Sequence, residues 1–107
     1  MVKKTTKSFN DVMPKIEFHP DLAKLELEAV IDNQNQVDDA LIVRDFDSKF
    51  GKSDFALLLI TEPATGDQFT TLCGGLVVVK KIQYALDKKL LPLMATITHD
   101  KDYYDIV

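Results

Sequence analysis

The chain has 107 residues, of which 46% are hydrophobic and 28% charged, with a net charge of −4 and a single cysteine. That length fits one domain with its own core and is too short for two lobes around a large substrate, while the composition argues against wholesale disorder. Cys73 alone cannot form an internal disulfide, and the longest strongly apolar stretch, residues 55–60, is far below the roughly 20 residues of a membrane span, so a soluble protein of a reducing cytoplasm is expected.

The basic start, with Lys3, Lys4 and Lys7, lacks the apolar run that a secretory signal needs. Residues up to about Asn10 show no apolar period and read as a mobile arm, and Ser8 can cap a short helical turn through Met13 that Pro14 ends. Over residues 21–31 two signals compete. Asp21 after Pro20 marks a helix start, whereas Leu25, Leu27 and Ala29 alternate with Glu26 and Glu28 as in a strand; the helix is preferred. Residues 32–36 form a polar loop, so that residues 1–36 are a leader and residues 37–107 the main body of one domain.

Residues 37–47 read as the first strand of that body, with Leu41, Val43 and then Asp45 on one face and Ile42, Arg44 and Phe46 on the other. Residues 48–53 make the turn, where Gly51 can adopt a positive backbone angle. Residues 54–61 are apolar on both faces, which predicts a central strand covered on one side by the helix or a partner. A hairpin loop at 62–67 leads to a returning strand at 68–73, completing a meander. Gly74-Gly75 then redirects the chain into a helix of about fourteen residues, closed by Leu91-Pro92, whose Val78, Ile82, Ala85 and Leu86 share one face. Strands at 93–98 and 103–107, joined by a turn at 99–102, finish the chain. Five strands with a helix between the third and fourth is the mainly β layout of the OB-fold, a five-stranded Greek-key barrel whose open face commonly binds oligonucleotides.

The punctuation of this pattern carries a resemblance. Ser48-Lys49-Phe50-Gly51 before the second strand, Pro63-Ala64-Thr65-Gly66-Asp67 followed by Phe69-Thr70-Thr71, Gly74-Gly75 opening the helix, Leu91-Pro92 after it and the terminal Tyr103-Tyr104 resemble small OB-fold proteins of bacteriophages and mobile elements that are similar to single-stranded DNA-binding proteins. The resemblance covers residues 47–106. It implies cooperative, sequence-indifferent binding of single strands in replication or recombination, with proteins of those processes as further partners.

Such binding needs flat side chains for bases and cations for the backbone. The sequence has no tryptophan, so the candidates are Phe46, Phe50, Phe55, Phe69, Tyr103 and Tyr104, with Arg44, Lys49, Lys52, Lys80 and Lys81 as cations. Phe50, in a polar turn between Lys49 and Lys52, is the leading contact residue. Of the two tyrosines, a strand turns one inward and one outward, and either fits the exposed place. The helix lysines fit a solvated face. Charge is unevenly spread: acidic residues dominate residues 8–47, while Lys49, Lys52, Lys80, Lys81, Lys88 and Lys89 make the following stretch mildly basic. The acidic leader supports a second reading, an OB-like module that binds a replication or structural protein partner.

Catalysis is not expected. Gly51-Lys52-Ser53 ends like a phosphate loop, but Phe46 stands where its first glycine belongs. His19 and His99 have no zinc-ligand spacing with Cys73, the thiol reads as structural, and Asp38-Asp39 and Asp45/Asp47 read as solvated carboxylates, so neither metal nor cofactor is expected. Because a partly open barrel covers one face of residues 55–60 more readily than both, a homodimer or higher oligomer is expected.

Overall fold

Period-two patterning leaves sheet formation as the way to bury most apolar side chains, and the computed structural model, which describes residues 17–48 and 51–107, is mainly β. Its strands are β1 (Ala23–Lys24), β2 (Gln34–Ser48), β3 (Gly51–Thr61), β4 (Gln68–Cys73), β5 (Leu93–Asp100) and β6 (Tyr103–Ile106). A 3-10 turn, Leu27–Ala29, follows β1, and helix α1 (Leu76–Asp87) connects β4 to β5. The strands form one sheet in the order β1-β4-β3-β2-β5-β6. Within it β2, β3 and β4 are an antiparallel meander, and β5 returns through α1 to pair with β2, which is the Greek-key order.

Two features depart from a closed five-strand barrel. The described residues form a six-stranded sheet, because β1 pairs in parallel with β4, placing Ala23 beside Phe69 and Lys24 beside Thr70. That pairing occupies the β4 edge on which closure would depend, and among the described residues β6 pairs with β5 alone, so the sheet stays open between β4 and β6. The expected helix over residues 21–31 is also corrected. Glu26 is extended, helical geometry is confined to Leu27–Ala29, and the Leu25 N–H donates to the Thr70 carbonyl at 2.9 Å. An available strand edge thus satisfies backbone groups that a helix would have paired internally. Residues 34–36, read as loop, begin β2 and pair with β5, Gln34 opposite Thr96. The arm, the Ser8 turn, and Lys49 and Phe50 lie outside the described residues.

Alternation along β3 sends Ala56, Leu58 and Ile60 into a core shared with Val37 and Ala40 of β2, Phe69 and Cys73 of β4, and Val78, Val79 and Ile82 of α1. Three consecutive valines lower the intrinsic helix propensity of α1, so this burial holds the helix. It ends at Asp87, short of the expected Leu91-Pro92 stop. Lys89 adopts a left-handed φ of 57°, the Lys89 N–H bonds the Leu86 carbonyl at 3.1 Å and the Leu90 N–H bonds that of Ala85 at 2.9 Å, a Schellman closure. On the other face of β3, Phe55 and Leu59 are buried and Leu57 is half-buried, as expected for a central strand.

Candidate nucleic-acid interface

The face of the sheet away from α1 takes its shape from a bulge in β2. Val43 lies opposite Phe55 but Phe46 lies opposite Ser53, so Arg44 and Asp45 together face Asp54. The Asp54 carboxylate holds this arrangement by accepting the Asp45 N–H at 2.8 Å and the Arg44 guanidinium at 3.1 Å. Asp45 takes a left-handed φ of 55°, a conformation that aspartate tolerates better than most residues. The extra residue reverses the side on which Phe46 emerges. Simple alternation set Phe46 against Leu41 and Val43; the bulge brings it to their face, where its ring meets Phe55 edge-on at a centroid separation of 5.3 Å.

A groove of about 750 Å³ opens on this face. Phe46, Phe55, Leu57 and Leu72 give it an apolar floor, and Phe18, Pro20, Lys24 and Leu25 of the leader form one wall. Glu26, Glu28, Thr70, Thr71 and Tyr104 also line it. The Tyr104 hydroxyl donates to Glu28 Oε1 at 2.9 Å, and this bond to a carboxylate pushes its titration upward. The Tyr104 ring also stacks on His99 at 4.3 Å. Tyr104 also packs closely on the start of α1: a Cβ on Gly75 would stand 3.2 Å from that of Tyr104.

Of the residues singled out by sequence, the groove therefore gathers Phe46, Phe55 and Tyr104. Phe55 is largely buried and offers an edge to the groove, while Phe46 is half-buried. Phe69 is not among the groove residues. At 6% exposure it faces the core beside Ile60, its inward place fixed by the register of β4. Tyr103 is the exposed tyrosine, at 46%, outside the groove lining. Arg44 is engaged within the fold, paired with Asp54 and donating to Gln83 of α1 at 2.9 Å. Lys81 is likewise engaged, with Asp105 at 2.7 Å and the Ile106 carbonyl at 3.1 Å, and this lysine contact holds the Asp105 carboxyl below the ordinary carboxylate range. Lys52 and Lys80 are exposed. Lys49 and Phe50 fall outside the described residues. Sequence reasoning missed Phe18, Lys24, Glu26 and Glu28 as groove residues; the strand-like alternation around Leu25 was the signal that could have placed them against the sheet.

The remaining polar clusters have structural roles. Cys73 is fully buried, and loss of solvent pushes its thiol titration up, contrary to the needs of a nucleophile. For Asp38, partial desolvation favours the protonated form, but hydrogen bonds from Gln36, Thr61 and Gln68 outweigh it and lower its titration. Asp39 accepts the Ala40 N–H at 2.8 Å and lies 3.2 Å from His19 Nε2. Among the described residues no group of three or more potential metal ligands converges, and no helix is long and apolar enough to cross a membrane. Comparison with known proteins yields no match: no family model, no curated protein and no solved structure is significantly similar to this chain.

Proposed function

We propose that this chain is a non-catalytic OB-type module that binds single-stranded DNA without sequence choice, in replication or recombination as the resemblance of residues 47–106 implies. The observation that carries the reading is the gathering of Phe46, Phe55 and Tyr104 along one open groove on a Greek-key sheet. In OB-folds oligonucleotides use the face of the second and third barrel strands and the loops beside it. Here those strands are β3 and β4, which bear the groove, and Lys52 stands at the start of β3, just after Lys49 and Phe50 in sequence. Contacts from about two to four lysines, Lys49, Lys52 and Lys80 among them, give a slope of log affinity against log salt of roughly −1.5 to −3, at about −0.7 per phosphate contact. Titration of labelled oligo-dT at two salt concentrations reads that slope, and no binding at low salt rejects the proposal.

A second reading, a module for a protein partner, draws on the engagement of Arg44 and Lys81 in internal ion pairs and on Glu26 and Glu28 at the groove. The same titration separates the two. Self-association belongs to either reading, because Leu41, Leu57 and Leu72 stand in register across three strands of the outer face, with Leu41 37% and Leu72 50% exposed. Light scattering at tens of micromolar should give a multiple of the 12.1 kDa chain mass. A monomer mass would mean that the leader provides all the cover this face receives.

A further inference from the structure

We infer that residues 17–26 form an acidic strap that competes with single-stranded DNA for the groove and swings away when the strand enters. The inference rests on the single-strand reading above and concerns the regulation of that same site. The strap is rooted in the core at its C-terminal end. Leu27 and Val30 are buried in the core, whereas every residue from 17 to 26 is exposed or half-exposed. Its hold on the sheet includes the two-residue parallel strand β1, the Leu25 N–H to Thr70 carbonyl bond, and a bond of 2.9 Å from the Thr71 hydroxyl to the Leu25 carbonyl. Farther along, His19 Nε2 lies 3.2 Å from Asp39 Oδ2, which ties the strap across to β2. Exposed backbone bonds with little buried apolar area behind them open at low free-energy cost.

The position of the strap makes opening matter. Phe18, Pro20 and Leu25 wall the apolar floor, and Glu26 lies beside it with Glu28 of the hinge. A phosphate backbone laid over Phe46 and Phe55 would meet those carboxylates, and like charges at close range repel. Swinging the strap out removes Glu26, widens access to Phe55, Leu57 and Leu72, and frees the β4 edge. When the competent state is a minor one, apparent affinity falls in proportion to its population, so a strap closed 90–99% of the time weakens binding about 10- to 100-fold.

The test locks the strap closed. Lys24 and Thr70 are register partners on neighbouring strands, about 4.8 Å apart, within the Cα range of a disulfide. The Lys24→Cys/Thr70→Cys variant is titrated with labelled oligo-dT of 30 nucleotides, oxidised and then reduced, while Cys73 stays buried in both forms. Oxidised protein should bind at least about tenfold more weakly than the same protein reduced. In the unaltered chain, hydrogen exchange at the Leu25 amide should accelerate when the oligonucleotide saturates the protein. Equal binding by the two redox forms, or a Leu25 amide protected further by the oligonucleotide, overturns the strap and leaves the single-strand reading standing. Failure of both the unaltered chain and the reduced variant to bind at low salt overturns the function and the strap with it.

Discussion

Phe69→Ala should lower the stability of the folded chain by about 3–5 kcal/mol, the range for removing a buried phenylalanine ring. Phe69 faces the core from β4, beside Ile60 of β3 and below the β1 pairing at Ala23, and it is 6% exposed. Domains of this size have about 5–15 kcal/mol of stability in total, so the loss is a large fraction of what holds the fold together. Chemical denaturation reads it as a reduced midpoint at nearly unchanged slope. A loss below about 1 kcal/mol would place the ring at the surface, among the side chains that stack on bases.

The contrast between Phe69 and Phe46 shows where the sequence was legible. Loop punctuation on both sides of residues 68–73, Gly66-Asp67 before and Gly74-Gly75 after, fixed β4 to the residue. The inward and outward alternation along it was equally readable, but which parity faced the core was not, since Phe69, Thr71 and Cys73 compete with Thr70 and Leu72 only weakly by hydropathy. Continuous apolar character over residues 55–60 correctly marked β3 as central. Phe46 resisted the same reasoning because its side depends on the bulge at Arg44 and Asp45. That bulge is stabilised by Asp54 on another strand, and no periodicity within β2 encodes it.

The distribution of charge along the chain was legible, but its pairing was not. Counting cations along the chain treated Arg44 and Lys81 as available, yet their partners Asp54 and Asp105 come from other strands and meet them only in the fold. The leader failed for a related reason. Asp21 after Pro20 is a genuine local start signal, but it offers a helix little that a ready-made β4 edge does not also offer, and the edge prevailed at Ala23 and Lys24. Local signals rank local alternatives; an edge supplied by residues far along the chain is invisible to them.

Phe46→Ala should weaken oligo-dT binding by about 1–3 kcal/mol, the contribution of one base–aromatic stack. The ring is half-buried on the outer face, set edge-on to Phe55 at 5.3 Å and lining the groove, so its removal takes away contact surface and opens no void in the core under α1. Its stability cost should therefore be well below that of Phe69→Ala, and the pair of variants forms a crossed test: one ring mainly for folding, the other mainly for binding. Phe50→Ala, the contact residue the sequence puts first, should weaken binding in the same direction with nearly unchanged stability. Fluorescence titration and thermal melts of the three variants separate the cases. If Phe46→Ala binds as tightly as the unaltered chain while Phe50→Ala does not, the strand contacts Phe50 and its neighbours Lys49 and Lys52, and the groove is left to the strap alone.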